Sequence, residues 1–451
     1  MSIADKRRWV MPAVMGAALF LSVAYSFYFQ IPSLVDARGY DRIAWNLVQG
    51  NGYREDASLS YDADIAILRV GPGYQFFLAA LYAVFGHHLA AVWVANAILL
   101  ALTAGIVYLL ARRIFRSSPH RFAIGVVAAL FIAFSPDLIT IAGMVMTETL
   151  GVFLVALSAL CFFWYLDLRD ENTRWLVSRG ALVLAAAVFA YAVMVRTPAA
   201  LLFLPFLYVW FRRRRFADMA VFVAVAVLIF TPWIARNYAI YHAFIPTNLA
   251  FGYDLLAGNH IGATGEFEPF KLNEKLVTDY GRIEGNTVAL REAFAFIAAH
   301  PIEFLKLTAN RISIYFSIAR PTGFWFHLQG WERALTLALS AFYSAILFFF
   351  GFLGIYKMFR LDPENRARAG FLAALFLMMP LSIIFIIVET RYRFLSYPFL
   401  AVFAGFAIAS GFRRSEWRGV IAIAVLLISN SFVDALRNLD RVYERLAGLF
   451  L

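Results

Sequence analysis

Nine apolar stretches, near 9–30, 88–110, 122–139, 147–166, 217–235, 333–356, 370–388, 395–412 and 419–434, are each about long enough to cross a lipid bilayer. A tenth, 181–211, is longer than one crossing needs. Arg196, Thr197 and Pro198 interrupt its middle, so it is read as two short helices with a turn at Arg196. The count comes to about 11 spans. One more apolar segment, Gly73 to Gly86, is too short to cross and reads as a re-entrant or interfacial helix.

Composition leaves little alternative to a membrane. The chain is 62% apolar and 15% charged, whereas soluble domains carry roughly 25% charged residues. So few charges could not cover a soluble core of this size. The net charge of +11 is spread over short basic runs between the apolar stretches: Lys6–Arg8, Arg112–Arg116, Arg174–Arg179, Arg212–Arg215, Lys357–Arg368 and Arg413–Arg418. That is the positive-inside pattern and argues against a nucleic-acid role. Two spans separate each run from the next, so all six fall on one side, read as cytoplasmic together with the N-terminus. The first apolar run lacks a small-x-small cleavage site and is read as a retained helix. The single cysteine, Cys161, excludes an internal disulfide and a cysteine-based metal cluster.

The expected architecture is an all-α polytopic membrane protein, one integral membrane domain over 1–451. The other face receives a first loop, 31–87, with juxtamembrane helices, and a large segment, 237–332. The C-terminal segment 435–451 reads as amphipathic and interfacial. Unusual residues collect on this outer face. Asp36 lies just past the first span, where a partly desolvated carboxylate suits general-base work; it could also cap a helix over 37–49. Arg69 precedes an apolar helix and could hold a phosphate or simply snorkel. Glu148 opens a span, as a functional acid or as a helix-terminal charge. Arg196, Arg236-Asn237, Arg391 and Arg393 run against the orientation bias and call for an anionic partner such as a lipid phosphate, or for ion pairing, as of Arg391 with Glu389. Asp62-Ala63-Asp64 is a weak divalent-metal pattern, and no histidine pair has helical ligand spacing, so neither metal nor other cofactor is expected.

The order of the motifs adds a resemblance. Asp36…Tyr40…Gly50-Asn51-Gly52-Tyr53 and Arg69-Val70-Gly71-Pro72-Gly73-Tyr74 come first, then Thr147-Glu148-Thr149-Leu150 and Thr231-Pro232-Trp233-Ile234-Ala235-Arg236-Asn237. Gly258-Asn259 follows, and Glu389-Thr390-Arg391-Tyr392-Arg393 comes before Pro398. The set resembles the bacterial branch of the protein mannosyltransferase-like GT-C glycosyltransferases, which includes the aminoarabinose transferases acting on lipid A. That resemblance implies a GT-C-like fold and a catalytic first outer loop. It implies Asp36 as the catalytic carboxylate, Glu148 as the second acid of the cavity and Arg69 as a donor-phosphate contact, with Tyr40 and Tyr74 among the substrate-binding residues. The sequence departs in two places: Ala37 follows Asp36 where many members have a second acid, and Gly71-Pro72 stands where the usual form is Pro-Pro.

The implied reaction is transfer of a sugar from a polyprenyl (undecaprenyl) phosphate to a lipid, glycan or protein acceptor on the periplasmic face of a bacterial inner membrane. One base and one step predict inversion at the anomeric carbon. The competing class is a transporter or flippase of lipid-linked sugars, which a broken helix at Arg196–Pro198 also suits. Against it, the sequence shows no inverted repeat and few charges at midplane.

Overall fold

The computed structural model describes residues 3–171, 175–268, 270–320 and 327–439. Among them the chain forms seventeen α-helices and no strand. Helix α1 (Ile3–Phe29) is followed by two short helices, α2 (Asp36–Val48) and α3 (Pro72–Phe85). Next come α4 (Leu89–Ile114), α5 (Arg121–Ala133), α6 (Pro136–Ala142), α7 (Thr147–Asp170) and α8 (Trp175–Val195). A 3₁₀ turn, Thr197–Leu202, leads into α9 (Phe203–Arg212) and then α10 (Phe216–Tyr241). The segment beyond holds α11 (Phe251–Gly258), α12 (Lys271–Ala299) and α13 (Pro301–Phe316). The chain returns through α14 (Gly330–Met358), α15 (Pro363–Leu381), a 3₁₀ turn Thr390–Ser396, α16 (Tyr397–Ala409) and α17 (Trp417–Arg437).

Proline and caps mark several starts. Pro72, Pro136, Pro301 and Pro363 sit in first turns, where a missing N–H costs nothing. Ser135 caps α6 through the Leu138 N–H, and Asp362 caps α15 through the Asn365 N–H. Eight helices among the described residues have the length and apolarity of a span, and the pair α5–α6, bent by 51°, makes a ninth. The two other segments assigned as spans from the sequence are less typical: Thr197–Arg212 is short, and α15 carries Glu364, Arg366 and Arg368 near its start. Helix α3, with 14 residues, is about 21 Å long and falls short of a bilayer's apolar thickness of roughly 30 Å.

Two boundaries differ from expectation. The first half of 181–211 is a full-length helix, because α8 begins back at Trp175, inside the stretch read as a basic loop. A helix whose first turns lie at the interface can carry charge there, which hides its start from a hydropathy reading. Likewise α17 runs to Arg437, so the start of 435–451 continues the last span; residues 440–451 lie outside the described residues.

The basic runs meet at one end of the bundle. Arg113 and Arg368 pair with Asp167, Arg116 with Glu364, Arg213 and Arg215 with Asp170, Arg169 and Arg179 with Asp218, and Lys357 and Arg360 with Glu416. Helix α7, 24 residues long, ends in this web at Asp170 and begins at Thr147, beside Glu148. At 1.5 Å per residue that is about 36 Å, close to a membrane's thickness. The web and Glu148 therefore occupy opposite faces.

Candidate active site

Asp36 is the first residue of α2, and the backbone just before it is strained: Val35 has φ 51° and ψ −119°, rare for a β-branched residue. Its carboxylate accepts from Arg391 Nη2 at 3.1 Å and from Arg69 Nη1 at 3.4 Å. Two guanidinium groups, rather than helix N–H groups or an apolar wall, set its electrostatics. Arg69 also donates to both oxygens of Glu55, at 2.8 and 3.0 Å. It reaches these partners by lying across α2 at Gly39, where a Cβ would come within 2.6 Å of Arg69 Nε. A side chain at 39 would push the guanidinium off Asp36.

Glu148 stands in the first turn of α7 and is buried. Arg196 Nη1 donates to it at 3.1 Å and to the Thr147 hydroxyl at 3.0 Å. Arg196 projects from the break after α8, and Gly151, one turn beyond Glu148, leaves it room: a Cβ there would sit 2.9 Å from Arg196 Cγ. Arg391 closes the cluster. It lies 3.7 Å from Glu148 and pairs with Glu389 and Asp36. So Asp36, Arg69, Glu148, Arg196 and Arg391, spread over more than 350 residues of sequence, converge on one face.

Tyr40 and Tyr74 lie beneath this cluster. Both are buried and meet edge to face with centroids 5.7 Å apart. Burial and the charge of Asp36 push the Tyr40 phenol well above its ordinary value, so it remains neutral.

The other three candidates are engaged elsewhere. Arg236 is ringed by Tyr53, Tyr61, Trp233 and Tyr241, with guanidinium-to-centroid distances of 5.0–5.7 Å, and donates to Asn237. Asn237 donates in turn to the Ile245 carbonyl, fastening the loop after α10. Arg393 points into the bundle, to Tyr397, Ser317, Ser344 and Asp137. The Asp62/Asp64 pair is split: Asp64 is buried and accepts from the backbone N–H groups of Glu55, Asp56 and Ala66, while Asp62 faces out. Among the described residues no group of three or more His, Cys, Asp or Glu side chains gathers to hold a metal.

Two acids escaped the sequence reading. Glu55, in a polar loop, gave no signal, yet it is the strongest partner of Arg69. Asp254 did give one, as a lone carboxylate in the apolar run Phe251-Gly252-Tyr253-Asp254-Leu255-Leu256-Ala257. It lines a cavity of about 620 Å³ together with Arg196 and Tyr392. Burial, then the charges of Asp36 and Glu389, push it up to about 7. Arg311 holds Asp254's helix in place, donating to the carbonyl of Gly258 and, at 3.1 Å, to Asn259 Oδ1 at the C-terminal end of α11.

Residues 69–235 match the model of the dolichyl-phosphate-mannose-protein mannosyltransferase family. No curated protein matches the sequence significantly. Among solved structures, ArnT from Cupriavidus metallidurans bound to undecaprenyl phosphate superposes with a TM-score of 0.52 at 15% identity, over 92% of this chain and 63% of that one. The archaeal oligosaccharyltransferase AglB from Archaeoglobus fulgidus, in complex with an inhibitory peptide and a dolichol-phosphate, gives 0.52 at 16% identity, over 96% of this chain and 56% of that one. A second structure of the Archaeoglobus fulgidus oligosaccharyltransferase, tethered to an acceptor peptide, gives 0.54 at 18%, over 95% and 55%. This chain thus spans less than two thirds of each. At such identities the likeness shows a shared fold. The family model covers well under half of this chain, and together with the shared fold it makes the chain similar to the mannosyltransferase and aminoarabinose-transferase-like GT-C proteins.

Proposed function

We propose that the chain transfers a sugar from a polyprenyl-phosphate carrier to an acceptor hydroxyl, at the membrane face that holds Asp36. The observation carrying this reading is the cavity with Arg196 and Asp254 among its polar residues and Leu201, Phe294, Ile297 and Ile386 along its wall. Such a lining suits an amphiphile with an anionic head and a hydrocarbon tail. Undecaprenyl phosphate and dolichol-phosphate, present in the neighbouring structures, are molecules of that kind. The basic web at the opposite end supports reading the Asp36 face as the outer, periplasmic one of a bacterial inner membrane.

Asp36 is the base, because its carboxylate is 27% exposed and Glu148's only 1%. It takes the proton of the acceptor hydroxyl as that oxygen bonds to the anomeric carbon. The bond from that carbon to the phosphate oxygen breaks with its electron pair, releasing polyprenyl phosphate. One displacement inverts the anomeric centre.

Arg196 holds the leaving phosphate. It lines the cavity, and its buried Nε–H has no acceptor among the described residues. A charge-assisted bond to phosphate would satisfy it. Glu148 fixes Arg196 and Arg391 in place. A phosphate oxygen drawn to Arg69 or Arg391 competes with Asp36 for their N–H groups, and so frees the lone pair that must accept the proton. The acceptor is a lipid, glycan or protein hydroxyl.

The test is a transfer assay with purified protein in detergent, undecaprenyl-phosphate sugars as donors and NMR of the product. Inverted product and released undecaprenyl phosphate are expected. Transfer from a nucleotide sugar instead, or retained configuration, overturns the reading.

A further inference from the structure

At the end of the bundle opposite Asp36, α7, α9 and α15 leave a second cavity of about 760 Å³. Its rim carries Arg116, Arg212, Arg213 and Arg368 against Asp170 and Glu364. Four arginines therefore face two carboxylates. The groups behind the rim, Arg113, Arg215 and Asp167, add to the positive balance. Most of these arginines are held by carboxylates: Arg213 to Asp170 at 2.6 Å and Arg368 to Asp167 at 2.6 Å. Arg212 differs. It donates to the Tyr208 hydroxyl at 3.2 Å, and no carboxylate pairs with it among the described residues. The floor is apolar, from Phe163, Phe371 and Met378.

We infer that this cavity binds an anionic phospholipid of its own leaflet, the phosphate at Arg212 and the rim and the first part of an acyl chain on the Phe163–Phe371 floor. Basic pockets between transmembrane helices on the basic side of a membrane recognise such headgroups. Free phosphate would leave the floor uncovered. The carrier lipid of the proposed reaction reacts at the other end of α7, about 36 Å away. The inference rests on the chain's spanning a membrane and is independent of the transferase reading.

Two variants probe it without touching the Asp36 site. Arg212→Gln removes the cation that has no carboxylate. Gly370→Leu blocks the cavity: Gly370 lines it within α15, and a Cβ there meets nothing within 4 Å. Leucine is also the better helix former, so the fold should survive. Arg418→Gln, an exposed arginine on the same face outside the cavity, is the control.

Native mass spectrometry of the full chain from phosphatidylcholine micelles doped with phosphatidylglycerol reads retained lipid. The wild type should retain phosphatidylglycerol selectively. Arg212→Gln should weaken retention about fivefold, the contribution of one arginine near an anionic surface, and Gly370→Leu at least as much, with Arg418→Gln unchanged. Equal retention by Gly370→Leu overturns the proposal. So does an equal loss in Arg418→Gln, full competition by inorganic phosphate, or retention of undecaprenyl phosphate in place of phosphatidylglycerol.

Discussion

Arg391 and Arg393 stand two residues apart on one 3₁₀ turn, and both are buried. Arg393 is matched group by group: Nε donates to Tyr397, Nη1 to the Ser317 carbonyl and Nη2 to Ser344, with Asp137 at 3.8 Å. Tyr397 and Ser340 complete Asp137 by donating to its two oxygens. That network is closed, one anion to one cation, and ties α6, α14 and α16 together. Arg391 instead faces Asp36, Glu148 and Glu389. With Arg69 and Arg196 it forms a set of three cations against four carboxylates, counting Glu55, beside a cavity. A closed pair holds helices. Arginines shared among several carboxylates beside a cavity can give up one contact to an incoming phosphate and still keep another partner.

The largest effect expected on the open side comes from Asp36→Asn. The amide keeps the shape, and its one oxygen can still accept from Arg391 or Arg69 while the contact to the other is lost, so the melting temperature should fall only slightly. It takes no proton near neutral pH, and turnover should fall about 10²–10⁴-fold. Turnover above roughly a tenth of wild type would shift the base to another carboxylate. On the closed side, Arg393→Met leaves Asp137 buried without its cation. The expected cost is about 3–5 kcal/mol of stability, read as a lowered melting temperature, partly recovered in the double variant with Asp137→Asn. Activity per folded molecule should stay near wild type. Lost turnover with an unchanged melting temperature would erase the distinction between the two arginines.

Arg196→Lys is a smaller perturbation. Lysine keeps the charge on Glu148 but lacks the Nε–H and the planar fork. Losing one charge-assisted hydrogen bond should raise the donor KM about tenfold, with kcat for bound donor less affected. An unchanged donor KM would remove Arg196 from the phosphate site.

Much of this arrangement was legible in the sequence. Asp36, Arg69, Glu148, Arg196 and Arg391 drew notice because each is costly where it stands: a charge at the edge of an apolar run, or an arginine on the face that basic residues avoid. The break at Arg196 followed from Pro198. Arg236 and Arg393 carry the same local signal, and what sets them apart is tertiary. Arg236's aromatic ring of partners comes from positions 53, 61, 233 and 241, and Arg393's anion from position 137, which sequence spacing does not bring together. The start of α8 at Trp175 was masked by charge at its interfacial end. Asp254 was visible as a lone acid among apolar residues; its importance lay in the cavity it lines.

Asp254 yields the mildest test, one of pH rather than of structure. Burial first, then Asp36 and Glu389, push its carboxyl from the usual 3.8 up to about 7. A carboxyl with a raised folded-state value favours the fold below its unfolded value, and that contribution is lost as pH rises through about 7. The same ionisation adds a negative charge to the cavity wall proposed to hold the carrier phosphate. At about 10 Å and an effective dielectric constant of about 20, one such charge costs roughly 1.5 kcal/mol, about tenfold in affinity. Donor affinity should therefore fall by up to that factor between about pH 6 and pH 8. Asp254→Asn should flatten the fall at the acid-side level and leave the melting temperature less sensitive to pH. A sugar linked to polyprenyl phosphate is a phosphodiester with one charge throughout this range, so the change must originate in the protein. Donor titrations at three pH values decide it: a full fall retained in Asp254→Asn places the titrating group elsewhere and leaves Asp254 a half-buried wall residue.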